Sequence, residues 1–172
     1  MTKNSTIALA LALSTSLSVA LTGAAFAQAA TRIKQNNAWG SYSHDGSTGK
    51  ICYILSMPTA KEPTDRDHGD VFFMLAQFPG QNIELEPQFK VGYAFKDNSK
   101  VILDIDGKKF SMFTRGQNAW MENPAEDALV VEAMKAGSKM SLTAQSRRGT
   151  QTHYVYSLSG VTASLGDIQS CR

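Results

Sequence analysis

Apolar side chains recur at every second position along several stretches of the chain, the spacing that places one face of a β-strand against a core. Strands are predicted at 51–57, 91–95, 140–144 and 154–158. The stretch 71–78 is apolar on both alternating sets of positions, as in a strand that is covered on both faces. The pattern therefore indicates a β-rich body.

A hairpin is predicted where residues 101–105 and 108–113 flank the dipeptide Asp106-Gly107. Both of these residues tolerate the positive φ angles that a two-residue type I′ turn requires. By contrast, residues 58–70 contain two prolines and six charged side chains, so this stretch is predicted to be a solvated loop.

Two helices interrupt the strand pattern, and the first is predicted at 124–136. Asn123 can accept a hydrogen bond as the N-cap, and Pro124 fits the first helical position. Glu126 stands where a capping box places its acid. Gly137 is expected to end the helix in the left-handed conformation.

The second helix is predicted at 160–170, with Ser159 as its capping residue. Its apolar residues are spaced i, i+4 and i+7 and therefore share one face: Val161, Leu165 and Ile168. No internal repeat or linker follows residue 38. The predicted fold class is mainly β, a single antiparallel β-sandwich-like domain with two short helices.

The first 27 residues have the features of a secretory signal peptide. Lys3 is followed by an apolar run that ends in Ala25-Phe26-Ala27, with small residues at the positions that a signal peptidase inspects. An uncleaved membrane anchor is the alternative, but Ser and Thr dilute the run and no basic stop-transfer cluster follows it. Residues 28–37 are polar and are predicted to be a flexible lead-in, so the folded domain is assigned to 38–172.

Removing 27 of the 172 residues leaves 145, which is enough for one modest core. The formal charge falls from +2 to +1 with the loss of Lys3, which excludes a strongly basic nucleic-acid binder. In an oxidising compartment the two cysteines, Cys52 and Cys171, are predicted to form a disulfide. Cys171 follows Ile168 by three residues, close to the apolar helix face, which directs it toward a core strand; a reactive thiol is the alternative.

Motifs that carry catalysis or bind metals do not occur in recognisable form. His44, His68 and His153 lack the close spacing of a zinc site, and the acid-rich stretch 65–70 fails the register of an EF-hand calcium loop. Neither a phosphate-binding glycine loop nor a G-x-S-x-G nucleophile elbow is found. No cofactor or metal is therefore predicted, and the chain is not expected to be an enzyme.

A basic segment between residues 90 and 115 is the candidate for contact with an anionic surface. Six basic side chains stand against three acids in this segment: Lys90, Lys96, Lys100, Lys108, Lys109 and Arg115. The alternative is that these residues lie along the solvent-exposed edge of a sheet, where lysines discourage aggregation. This second interpretation is favoured.

Three groups of residues together resemble one family. They are Ala38-Trp39-Gly40-Ser41-Tyr42 with Lys50-Ile51-Cys52-Tyr53; Val91-Gly92-Tyr93-Ala94-Phe95 with Phe110, Gly116 and Ala119-Trp120; and Arg148-Gly149-Thr150 with Tyr156-Ser157-Leu158-Ser159-Gly160 before the helix that closes on Cys171. Over residues 38–172 these motifs resemble the invasion-associated locus B proteins. The resemblance implies an exported, envelope-associated protein of Gram-negative bacteria, and no catalytic residues come with it.

The first functional hypothesis is an exported, non-catalytic binding protein of the periplasm or outer membrane, for which the family implies a role in host-cell association. Its partner is expected to be an unknown protein or envelope component, with no nucleic acid bound and at most peripheral contact with a membrane. A periplasmic hydrolase with an unrecognised Ser/His site is the second hypothesis. The third is a structural envelope protein whose basic strands contact anionic lipid.

Overall fold

The computed structural model describes residues 30–46, 49–81 and 83–170. Within these residues eleven strands form one antiparallel sheet. In chain order the strands are β1 Thr31–Asn36, β2 Trp39–Gly46, β3 Gly49–Ser56, β4 Ala60–Glu62, β5 Phe72–Phe78, β6 Ile83–Lys90, β7 Lys100–Ile105, β8 Lys108–Arg115, β9 Asn118–Met121, β10 Lys139–Gln145 and β11 Gln151–Ser157. The predicted signal peptide lies outside the described residues.

The sheet has the order β1-β2-β3-β5-β6-β9-β8-β7-β10-β11-β4, and it folds over so that distant strands face each other across the core. Phe73 on β5 packs against Tyr156 on β11, with ring centroids 6.4 Å apart. Phe89 on β6 packs against Tyr154 on β11 at 5.4 Å. The prediction of a mainly β, antiparallel, sandwich-like domain is confirmed, with a single continuous sheet supplying both layers.

The predicted hairpin is present as β7 and β8. Asp106 and Gly107 have φ angles of 47° and 94°, the positive values of a type I′ turn. Ile105 therefore lies opposite Lys108, and the alternation of side chains directs Val101, Leu103 and Ile105 into the core.

Two strand boundaries differ from the prediction. Residues 91–95 do not form a strand; the strand is β6, which precedes them, and only Phe95 makes an isolated bridge, to Ser146. Val91 and Phe95 are buried because this segment crosses the end of the sheet, so their apolar spacing reflects burial without strand pairing. The predicted loop 58–70 also contains the short edge strand β4, paired with β11.

The predicted flexible lead-in, residues 28–37, is wrong for its greater part, because residues 31–36 form β1 and pair with β2. This strand lies at the edge of the sheet, and all but its last residue are exposed, so it shows no apolar alternation. Its order depends on the other end of the chain, because its last residue, Asn36, donates its side-chain N–H groups to Ser164 over 3.1 Å and to Asp167 over 2.6 Å.

The first helix agrees with the prediction, as a short 3₁₀ turn Pro124–Glu126 that continues into α1 Asp127–Ala136. Asn123 caps it by accepting the N–H of Ala125 over 3.2 Å. Gly137 is not left-handed: its φ of −88° and ψ of 172° are extended, because the chain passes directly into β10. Glycine is needed there for space, since a Cβ would lie 2.9 Å from the carbonyl oxygen of Ala133.

The second helix is α2 Val161–Ile168, and its predicted inward face is buried. Ser159 does not cap it, because Gly160 occupies the N-cap position with φ of 104° and Ser159 instead accepts a hydrogen bond from Asn37. Among the described residues, no helix combines the length and the apolar character needed to cross a bilayer.

Asp167 on α2 joins this helix to β1 and β2. Its carboxylate accepts hydrogen bonds from Asn36 at 2.6 Å and from Ser41 at 2.9 Å, and Lys34 lies 3.9 Å away. Burial alone would raise the pKa of Asp167, but the hydrogen bonds from Ser41 and Asn36, with the charge of Lys34, outweigh it and hold the pKa below its ordinary value.

Replacing Asp167 with asparagine is expected to lower the free energy of unfolding at pH 7 by about 1–2 kcal/mol, because charge-assisted hydrogen bonds are lost. A carboxyl whose pKa is lowered by folding stabilises the protein at pH values above its pKa in the unfolded chain, which is near 3.9. This contribution is lost as the pH falls through the pKa of the carboxyl in the folded protein. The difference between wild type and Asp167→Asn should therefore shrink toward zero near pH 2. Urea unfolding at several pH values would show this, and a pH-independent difference would contradict it.

Candidate functional site

One end of the sheet is closed by one crossing segment, residues 91–95, and by the turns at 115–118 and 145–150. The register places the end of β6, the start of β9 and the end of β8 together, with the start of β7 and the junction of β10 and β11 beside them. Residues 91–95 run across these strand ends and are fixed by backbone hydrogen bonds: Val91 N–H to Gln117 O at 3.0 Å, Phe95 N–H to Gly116 O at 2.8 Å, and Arg147 N–H to Ala94 O at 2.8 Å. The turns at 115–118 and 145–150 are thus held beside this segment.

A fourth segment, residues 63–70, docks onto this end through two glycines. Gly92 donates its N–H to the carbonyl of His68 over 2.9 Å. The backbones approach so closely that a Cβ on Gly92 would lie 2.5 Å from the Cα of Gly69, and one on Gly69 would lie 2.8 Å from the Cα of Gly92. Side chains at these positions would push the segment away, so both glycines are needed to bring Arg66 and His68 to this end of the sheet.

Between these segments lies a cleft of about 590 Å³, which we call the arginine cleft. This volume is within the range of small-molecule binding sites. Three arginines line it, and the polar residues of its floor come from segment 63–70, from the crossing segment 91–95 and from β11. The principal lining residues are Arg66, Arg147, Arg148, Tyr93, Thr152 and His68.

The floor of the arginine cleft is a chain of hydrogen bonds. His68 is 6% exposed, and its Nε2 lies 2.9 Å from the carbonyl oxygen of Pro63, so Nε2 carries the proton that it donates. Its Nδ1 lies 2.7 Å from the hydroxyl of Tyr154. Tyr154 is in turn 3.0 Å from the hydroxyl of Tyr93, which lies 2.6 Å from the hydroxyl of Thr152.

Both tyrosines of the floor remain protonated across the physiological range. Burial raises the pKa of Tyr93 above its ordinary value, although hydrogen bonds from Thr152 and Tyr154 oppose the shift. Burial, followed by the hydrogen bond and charge interaction with Tyr93, raises the pKa of Tyr154. The two tyrosines are therefore neutral, and the arginines of the rim supply positive charge to the cleft.

The rim is positively charged and weakly compensated. Arg147 lies 3.8 Å from Asp97 and Arg66 lies 3.7 Å from Asp65, both in exposed pairs that contribute little and exchange easily with solvent. Arg148 makes no ion pair with any residue that the structure describes. The carboxylate that lines the cleft is that of Asp67, and it already accepts the N–H of Gly69 at 2.8 Å.

The family model described as "Invasion associated locus B (IalB) protein" matches residues 41–169 of the chain. The chain belongs to the invasion-associated locus B family. Its structure is similar to the crystal structure of invasion-associated protein B from Bartonella henselae, with a TM-score of 0.55, 16% sequence identity, and coverage of 77% of this chain and 92% of the other. No curated protein matches the chain.

Several of the residues that resemble the invasion-associated locus B family lie at the arginine cleft. Gly92, Tyr93 and Ala94 come from the crossing segment, and Arg148 and Thr150 come from the turn between β10 and β11. The other motifs serve the fold. Trp39, fully buried, donates its indole N–H to the carbonyl of Ser157 over 2.9 Å and thereby joins β2 to β11.

The basic residues predicted to contact an anionic surface do not form one patch. Lys90, Lys100 and Arg115 lie at the cleft end of the sheet, and Lys96 directly follows the segment that crosses it. Lys108 and Lys109 lie at the opposite end of the hairpin, beside its turn.

Two of these lysines are also compensated by nearby acids. Lys100 pairs with Glu122 at 2.7 Å, and Lys109 pairs with Asp104. Contact of the six residues with an anionic surface stays a prediction, but the fold divides the set in two.

Cys52 lies fully buried on β3, and the described part of the chain contains no free cysteine. Its predicted partner, Cys171, lies outside the described residues, so their pairing stays a prediction. Among the described residues, no group of three or more His, Cys, Asp or Glu side chains is placed to hold a metal ion. His68 is buried in the floor of the cleft, whereas His44 and His153 are half-buried on strands.

Sequence reasoning did not identify the arginine cleft. Arg66 lies in a predicted loop and Arg147-Arg148 in a predicted turn, and nothing local connects them. The usable signal is the pair of glycines, Gly69 and Gly92, each in a segment with neighbouring aromatic or charged residues, since a glycine pair permits a close approach of two backbones.

Proposed function

We propose that this protein is an exported, envelope-associated binding protein, and that the arginine cleft binds an oxyanion group, such as a carboxylate, phosphate or sulfate. The observation that carries the proposal is that three arginines line one concave site, whose lining, among the described residues, includes one carboxylate. A guanidinium offers a planar fork of N–H donors, which fits two oxygens of an oxyanion.

The organisation of the floor supports the same proposal. His68, Tyr154, Tyr93 and Thr152 are linked by hydrogen bonds and are buried or partly buried, so their positions are set before any ligand enters. A pre-organised site loses less conformational entropy on binding than a mobile one. The arginines above this floor are exposed and can adapt to the ligand.

Binding is favoured over catalysis by the state of the histidine in the cleft. Both ring nitrogens of His68 are engaged, one with the carbonyl of Pro63 and the other with Tyr154. A general base must reach the proton of a nucleophile or of the substrate. Within the described residues, no serine hydroxyl is hydrogen-bonded to a histidine ring.

Export and a disulfide between Cys52 and Cys171 belong to the same proposal. The leader at 1–27 and the family support export, and the envelope outside the inner membrane is an oxidising compartment in which such a bond persists. The family's description as invasion-associated extends the proposal to contact with a host cell, whose surface presents oxyanions on its glycans.

Calorimetric titration of the purified exported chain with inorganic phosphate, sulfate and citrate tests the cleft directly. At least one of these anions is expected to bind, and Arg147→Ala combined with Arg148→Ala should weaken its binding by about ten- to a hundredfold, because charged hydrogen bonds contribute roughly 1.5–3 kcal/mol. Vesicles of phosphatidylglycerol and soluble heparin then separate a lipid source of the oxyanion from a glycan source.

The matched control is Lys108→Ala combined with Lys109→Ala, which removes the same charge at the opposite end of the hairpin. Its anion binding should equal that of the wild type. Equal losses in both double variants would show that net charge, and not the cleft, attracts the anion. Absence of binding to all probes would overturn the proposed function.

A further inference from the structure

The outer face of the sheet carries an uncovered apolar surface, which we call the aromatic stripe and define as Ile102, Phe113 and Trp120. Phe113 on β8 lies opposite Trp120 on β9, and their rings stack with centroids 5.7 Å apart. Phe113 is 45% exposed and Ile102 is 39% exposed, and they lie on neighbouring strands. Exposed aromatic groups of this kind usually mark a contact surface.

The two ends of the stripe have opposite charge. A groove of about 320 Å³ runs beside the Phe113–Trp120 stack, with Arg115 at the end of β8 and with Glu86 and Asp127 among its other lining residues. The chain direction separates the charges, because Arg115 follows Phe113 on β8, whereas Asp127 follows β9, which runs the opposite way. Arg115 forms no ion pair with the residues that the structure describes.

At the acidic end, no ion pair joins Glu86 or Asp127 to a described lysine, arginine or histidine. One carboxylate oxygen of Asp127, Oδ1, is buried and accepts no hydrogen bond from the described residues. Burial, together with the charge of Glu86, raises the pKa of Asp127 to about 6. A cation brought beside Glu86 and Asp127 would offset the charge interaction between the two carboxylates.

We propose that the aromatic stripe is the interface of a twofold dimer of this chain, in which Arg115 of each copy meets the Glu86–Asp127 pair of the other. Consider two copies whose outer sheet faces meet, related by a twofold axis that lies between these faces and is perpendicular to β8. This axis reverses the strand direction of the second copy relative to the first. It therefore sets the basic end of one stripe against the acidic end of the other, while the aromatic groups meet near the axis. An interface of this kind is self-complementary, as closed symmetric dimers require.

The same charges disfavour other occupants. An anionic membrane would attract Arg115 but would be repelled by Glu86 and Asp127, which lie beside the same groove. A uniformly acidic protein meets the same repulsion, and a uniformly basic one is repelled at the other end. A second copy satisfies both ends at once.

Sedimentation velocity of the purified exported chain tests the proposal. The wild type should be a dimer at micromolar concentration, and Arg115→Asp should weaken association by about a hundredfold, because one substitution removes two symmetric contacts. Asp127→Arg should do the same. The variant that carries both substitutions restores opposite charges across the interface and should dimerise again.

Two further variants keep the test independent of folding defects. Phe113→Asp changes an exposed residue and should abolish association, whereas Lys108→Asp, at the other end of β8, should leave it unchanged. Circular dichroism checks that each variant is folded. The proposal would be overturned by a monomeric wild type, or by a dimer whose association is unchanged by Arg115→Asp and Phe113→Asp. It would also be overturned if the folded variant with both charge substitutions stays monomeric, or if a monomer binds phosphatidylglycerol vesicles through Phe113.

Discussion

Replacing Gly160 with alanine is expected to destabilise the protein by about 2–5 kcal/mol. Gly160 has φ of 104°, and a Cβ there would lie 1.9 Å from the carbonyl oxygen of Asn36. The left-handed backbone alone costs an L-residue about 1–2 kcal/mol, and forcing atoms into packed space adds about 1–3 kcal/mol. Because the clash is with backbone, relief requires β1 and α2 to separate. Urea unfolding followed by circular dichroism would measure the loss.

Gly107 provides the matched control, because its φ is 94° and no atom lies within 4 Å of its Cβ position. Gly107→Ala therefore reports the backbone strain without the clash and should cost only about 1–2 kcal/mol. If Gly160→Ala and Gly107→Ala lower the free energy of unfolding equally, the clash with Asn36 does not contribute to the effect of Gly160→Ala.

Removal of the predicted disulfide is expected to have an effect of similar size. A bond between Cys52 and Cys171 closes a loop of more than a hundred residues, for which chain entropy gives at most about 4–5 kcal/mol. Cys52 is fully buried on β3, α2 packs against that strand, and Ile168 near the end of α2 is buried. The described part of α2 therefore lies against the strand that carries Cys52.

The measurement compares the wild type with Cys171→Ser in urea, with and without reductant. The substitution should lower the stability of the oxidised protein and make it indifferent to reductant, whereas the wild type should lose stability when reduced. Mass spectrometry should find the exported chain lighter than its reduced form by two hydrogen atoms. Alkylation of both thiols without prior reduction would contradict the pairing.

Elements whose signal lies within a few neighbouring residues could be predicted from the sequence. Asp106-Gly107 determines its own turn, and Asn123 its own cap. β6 carries no such signal, because Pro87 interrupts it, and the strand is paired on both sides only from Gln88 onward. β1 also carries none, since its order depends on contacts with α2.

The arginine cleft and the aromatic stripe depend on tertiary structure for the same reason. Arg66, Tyr93 and Arg147 are separated by tens of residues and meet only because two glycine backbones touch and three turns close one end of the sheet. The stripe depends on the register between β8 and β9, which sets Phe113 opposite Trp120. Neither register nor a close approach of backbones can be derived from the composition of the segments involved.

The attachment of β1 and β2 to α2 also determines when the domain can finish folding. The hydrogen bonds that hold Asn36, Trp39 and Ser41 come from residues 118 to 131 positions later in the chain. During synthesis, β1 and β2 emerge before α2 and find these partners only after α2 has followed them. The contacts of β1 and β2 with α2 therefore form late in folding, after α2 has been synthesised.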